Sequence, residues 1–89
     1  MNTEQKNKAH NSISRAERAR QVMQDPILKE ALTAMKADNY NKFMNTTFDQ
    51  HEERDELWRK AQTMQKFEVY LESVMTDGKI SQLTLDKLK

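Results

Sequence analysis

The chain predicts an all-α fold: an antiparallel hairpin of two long helices, with a short helix ahead of it and a flexible arm at the N-terminus. Three observations carry that expectation. There is one glycine and one proline in 89 residues, whereas a many-stranded fold needs turns and turns are built largely from those two residues. Two long segments repeat apolar residues at intervals of three and four, the period of an amphipathic helix. Residues that stop and cap helices stand between those segments.

The elements follow in order. Residues 1–12, "MNTEQKNKAHNS", have little to bury and read as a flexible polar arm. Residues 13–89 form one small helical domain. Its first helix opens at "SRAE", where Ser14 and Glu17 have the spacing of a reciprocal cap. Ala16, Ala19, Val22 and Met23 share one face of it. Pro26 ends this helix, because the residue before a proline is pushed out of the helical region. Asp25 then caps a second helix with proline at its first position. That helix runs to about Asn45 along Ile27, Leu28, Ala31, Leu32, Met35, Tyr40, Phe43 and Met44, with Asn39 interrupting the stripe.

The break "NTTFD" is made of side chains that compete for backbone hydrogen bonds. A third helix is expected from Thr47 or Asp49, capped by Asp49 with Glu52 as its partner. Its face is Leu57, Ala61, Met64, Phe67, Leu71, Val74 and Met75, about 19 residues or roughly 28 Å. Gly78 stands where a left-handed C-cap would end it, and "ISQLTLDKLK" reads as a last short helix capped by Ser81. The first helix is expected to fold across one end of the hairpin. A core this thin needs a third element or a partner to cover it.

Composition narrows the function. No cysteine is present, which removes disulfides and thiolate metal sites. No apolar run approaches the roughly 20 residues that span a bilayer, and the polar N-terminus is no secretory signal. Formal net charge is +1, unlike the strong basic excess of a dedicated nucleic-acid binder. The charge is nevertheless uneven: Arg15, Arg18 and Arg20 gather near the start, and Asp49, Glu52, Glu53, Asp55 and Glu56 surround Arg54.

Candidate chemical sites are weak. In "HEERD", His51, Glu52 and Asp55 resemble the order of a zinc-hydrolase helix, but aspartate stands where the second histidine belongs and no third ligand is evident. Acidic residues opening a helix explain the cluster more simply, since the N-terminal end of a helix favours negative charge. The serines have no histidine–aspartate arrangement to activate them. Glu68 and Glu72 lie on one helix without an opposing acid, and Glu68 either pairs with a lysine such as Lys36 across the hairpin or makes a polar contact at an interface. No cofactor is expected.

The strings "RAERARQVMQDPILKEALTAM" and "RDELWRKAQTMQKFEVYLESVMTDGKIS" resemble short, uncharacterised tailed-phage proteins encoded near packaging, portal and head genes. The likeness spans about residues 15–81 and rests on the "RA..RA" opening, the "DP.L.EA" helix start, the "LW" pair and the "DGK" turn. It implies a small virion or virion-assembly component in the host cytoplasm or the particle, and it supplies no catalytic residues.

The expectation is therefore a non-enzymatic helical interaction protein. Its partner is a like subunit or a portal or capsid protein, and Leu57, Trp58, Phe67 and Leu71 are the candidate interface. Trp58 either packs near Phe43 and Phe48 or anchors that interface. Two alternatives stand beside it: a packaging accessory or regulator that contacts nucleic acid through Arg15, Arg18 and Arg20, and a phage-encoded inhibitor of a host protein that uses the acidic cluster.

Overall fold

In the computed structural model, residues 1–88 are described; Lys89, the last residue of the expected domain, lies outside the described residues. Order begins far earlier than Ser14. Helix α1 spans Thr3–Gln24. Asn2 and Gln5 form its capping box: the Asn2 side chain accepts from the Gln5 N–H at 2.8 Å, and the Gln5 side chain accepts from the Asn2 N–H at 3.0 Å. An amide pair thus does the work expected of a hydroxyl–carboxylate pair. The expected arm over residues 1–12 is corrected accordingly. Ala9 is buried, Ser12 is half-buried, and with Ala16 and Ala19 they extend one narrow face over about three turns.

The Asp25 break forms as expected. Asp25 is extended, and its carboxylate accepts from the N–H groups of Ile27 and Leu28 at 2.9 and 3.0 Å. Pro26 opens helix α2, Pro26–Met44. The following turn is stitched by its own side chains. The Thr46 hydroxyl donates to the Phe43 carbonyl at 2.6 Å, and the Thr47 hydroxyl donates to Asp49 at 2.5 Å. Asp49 is therefore spent inside the loop. Helix α3 starts at His51, with Gln50 at the cap position and no side-chain cap bond, which corrects the expected Asp49–Glu52 cap.

Helix α3 runs unbroken over His51–Asp86, 36 residues or about 54 Å. Gly78 neither ends it nor adopts a positive φ. A Cβ built on Gly78 would lie 2.1 Å from the Ala16 Cβ and 3.0 Å from the Ser12 carbonyl oxygen. The glycine serves helix-to-helix approach, and "ISQLTLD" continues the same helix instead of starting another.

Helices α1 and α2 lie in series and form one leg; α3 is the other leg, antiparallel to both. Ala16 meets Gly78 at one end, while Asn39 reaches Leu57 toward the other. Helix α1 does not cross an end but follows the C-terminal half of α3. Along α3, Leu57, Met64, Leu71, Gly78 and Leu85 recur at intervals of seven and are all buried or half-buried, so one seam faces the other leg throughout. Backbones approach much more closely between α1 and α3 than between α2 and α3. Side-chain size accounts for it: the first pairing sets Ala9, Ser12, Ala16 and Ala19 against Gly78, the second sets Leu28, Leu32 and Phe43 against Leu57, Met64 and Leu71.

The resulting body measures 61 × 26 × 17 Å, with a radius of gyration of 18.8 Å against about 12 Å for a compact chain of this length. A layer two helices wide encloses little. Among the described residues only Ala9, Ala19, Leu57 and Val74 form the buried apolar core, and no large side chain there is fully enclosed.

Candidate functional site

The wide spacing of α2 and α3 leaves a groove of about 590 Å³ on one flank of their seam. Its floor is the seam itself: Leu57 is buried, Met64 and Asn39 are half-buried. The Asn39 amide donates to the Leu57 carbonyl at 2.9 Å, so the residue that interrupts the α2 stripe ties the two helices together across the core. The rim is apolar and open. Tyr40 on α2 is 62 % exposed; Trp58 and Val69 on α3 are 60 % and 51 % exposed. One end carries the ion pair of Lys36 and Glu68 at 2.5 Å, the cross-hairpin partnership foreseen from sequence. Toward the other end, the Arg54 guanidinium covers the Phe43 ring at 4.4 Å and donates to the Thr46 hydroxyl at 3.0 Å.

The opposite flank of the same seam has another character. A smaller groove of about 370 Å³ passes between Asp38, Lys42, Glu56 and Lys60. Those charges pair along their own helices, Asp38 with Lys42 at 2.9 Å and Glu56 with Lys60 at 3.4 Å. Covering that flank would desolvate two ion pairs for a smaller apolar gain. Covering the Tyr40–Trp58–Val69 flank removes more apolar surface from water and meets one ion pair, Lys36 with Glu68, at its end.

The four candidate interface residues therefore separate. Leu57 is the groove floor and Trp58 its rim. Leu71 is half-buried in the seam, and Phe67 is 44 % exposed beside it, near Leu28 and Leu32 at the α1–α2 junction. Phe43 is occupied by Arg54, and the Phe48 ring meets the His51 edge at 6.0 Å between centroids. Trp58 is left on the open rim. Val69 escaped the sequence reading because it lies off the main stripe. The signal was a second, weaker line through Trp58, Gln65, Val69 and Glu72 at intervals of seven, four and three, which marks the flank of a helix.

Arg15, Arg18 and Arg20 are all exposed, but they do not converge. On a helix, Arg15 and Arg18 lie about 60° apart and Arg20 about 160° from Arg18. The Arg20 guanidinium is held by both Glu17 carboxylate oxygens and by Gln24, to which it donates at 2.8 Å. Those bonds hold the Glu17 carboxyl below its ordinary value and raise Arg20 above its own. His51 and Glu52 open α3; among the described residues no group of three or more potential metal ligands comes together. The Ser73 hydroxyl donates to the Tyr70 carbonyl at 2.7 Å. No helix among the described residues is long and apolar enough to cross a membrane.

Comparison with family models, with curated proteins and with solved structures finds no match to this chain.

Proposed function

We propose that this chain works by protein–protein contact and not by catalysis, as a small helical component of an assembly. The observation that carries the reading is the open apolar groove between α2 and α3, rimmed by Tyr40, Trp58 and Val69, on a molecule too thin to cover it. Aromatic side chains in such a setting are the usual anchors of interfaces. Charged residues beside the groove, Lys36 with Glu68 and the nearby Glu72, would set orientation more than affinity. The partner class proposed is the one the sequence resemblance implies, a portal, capsid or like subunit of a tailed phage, met in the host cytoplasm or in the particle.

The test is a tagged chain recovered from phage-infected cells, with purified particles probed for the chain in parallel. Recovery of a portal or capsid subunit, lost with Trp58→Ala, is the expected result. A chain absent from particles, which captures no structural protein at all, overturns the assembly role.

A further inference from the structure

We infer that the occupant of the α2–α3 groove is the same groove of a second copy, giving a two-fold symmetric dimer whose centre is a four-helix bundle of the two α2–α3 halves. This rests on the proposed function and gives it a first partner.

Area is the first argument. A compact monomer of 10.5 kDa exposes about 5,400 Å², while this chain exposes 7235 Å². The excess is about 1,800 Å², within the roughly 1,000–2,500 Å² that each subunit of an obligate dimer commonly buries. Fourteen large apolar side chains among the described residues are 44–87 % exposed, against four buried apolar ones; Tyr40, Trp58 and Val69 of these rim the groove, so a groove-to-groove contact hides part of that surface. Two stacked hairpin layers are the simplest architecture that gives the seam a second side.

Shape is the second argument. A two-fold interface must be complementary to itself, so one patch has to hold both a projection and a place to receive it. Here they are adjacent: Trp58 projects from the rim of a groove about 590 Å³ in volume, floored by Leu57 and Met64. A rotated copy can set its Trp58 between Tyr40 and Val69 of the first and receive the reciprocal side chain. A groove shaped for an unrelated helix has no need of an aromatic projection on its own wall.

Charge is the third. The formal net charge is +1, so two copies repel weakly. Lys36 and Glu68 in the groove already neutralise each other; Glu72 lines the same groove and Arg54 stands toward its Phe43 end, so the patch carries both signs. The flank with two intrahelical ion pairs stays in water.

The full chain is tested by sedimentation from about 1 to 100 µM, a range over which mass action exposes a dissociating dimer. The emission of Trp58, the single tryptophan, and its acrylamide quenching are followed in parallel. The expected result is a species of twice the chain mass at the upper end, with Trp58 blue-shifted and protected, both signals reverting together on dilution. Trp58→Ala and, separately, Val69→Glu should each weaken dimerisation at least about 10-fold with helicity unchanged, because both side chains lie on the surface of the single chain. Ile27→Glu, 71 % exposed and away from the groove, should leave the dimer intact. A monomer at every concentration with Trp58 freely quenched overturns the inference, as does a dimer that Ile27→Glu dissolves and the groove variants do not. A monomer that still captures a portal or capsid subunit sinks the second copy and leaves the proposed function standing. A Trp58-dependent dimer that captures none supports the second copy and removes the assembly role.

Discussion

Gly78 and Ala16 stand so close across the α1–α3 seam that a methyl group on the glycine would meet the alanine Cβ at 2.1 Å. Glycine within a helix costs about 1 kcal/mol relative to alanine. Here that loss is offset by a backbone approach that only glycine permits, against Ala16 and the Ser12 carbonyl at 3.0 Å from the same position.

Gly78→Ala should therefore destabilise the protein despite improving helix propensity. Overpacking costs about 1–3 kcal/mol, from which the propensity gain subtracts. Ala16→Gly added to Gly78→Ala removes the nearest clash and should recover part of the loss, so the double change is milder than the two single effects summed. Urea denaturation of the four proteins measures this. If Gly78→Ala raises the midpoint, the helices do not meet at this distance.

Leu57 and Phe67 belong to the same sequence stripe yet occupy different environments. Leu57 is 5 % exposed on the groove floor and Phe67 is 44 % exposed. Leu57→Ala should cost about 2–5 kcal/mol. Phe67→Ala should cost clearly less, because much of its ring already faces water. Equal losses in thermal or chemical denaturation would place both side chains in one core and contradict the orientation of α3.

Asn39 reaches the Leu57 carbonyl at 2.9 Å through its amide donor. Asn39→Leu removes a donor, but that carbonyl keeps its place in the α3 ladder, so stability should change by no more than about 1 kcal/mol. Asn39→Asp sets a carboxylate against a carbonyl oxygen in a half-buried site and should cost about 1–3 kcal/mol at neutral pH. Its folded pKa would be raised above the unfolded value, so the destabilisation grows as pH rises through the ordinary aspartate range near about 4 and above. Acidification protonates the group, restores a donor and recovers the loss. Denaturation midpoints of wild type and Asn39→Asp that stay parallel between about pH 3 and 7 would remove the hydrogen bond from the account.

Much of this fold was legible. The Asp25–Pro26 break, the two amphipathic segments, the loop near Thr46–Asp49 and even the Lys36–Glu68 pair all follow from local chemistry that acts within a few residues or one helix face. What was hidden concerns distance between helices. Ala9, Ser12 and Gly78 are too small or too polar to draw a hydrophobic stripe, so a seam made by their smallness resembles a disordered arm and a helix stop. Asn39 looked like a defect in its stripe, because its partner is a backbone carbonyl 18 residues away. The groove was half legible: Trp58 was singled out, but its neighbours Tyr40 and Val69 became a rim only once α2 and α3 had a spacing.

The arginines of α1 supply the last prediction. Glu17 accepts from the Nε and Nη2 of the Arg20 guanidinium through its two carboxylate oxygens, and those hydrogen bonds hold its carboxyl below the ordinary glutamate value. A carboxyl depressed in this way contributes above its unfolded pKa, and the contribution fades as pH falls through the folded value. At neutral pH the pair is therefore intact and the Arg20 charge is balanced. Arg15 and Arg18 remain as a narrow pair, each able to release about one counterion's worth of salt dependence on meeting a phosphate. Two such contacts are too few for binding near physiological salt. Fluorescence anisotropy with labelled duplex should show negligible binding at about 0.15 M salt, and changing Arg15, Arg18 and Arg20 together to Gln should leave both that result and the helical spectrum unchanged. By NMR, the Glu17 side chain should titrate below the ordinary range in the wild type and return toward it in Arg20→Gln. Duplex binding that persists at that salt and falls with the triple change would move the function of α1 to nucleic acid, and a Glu17 titration indifferent to Arg20 would show the guanidinium free to take part.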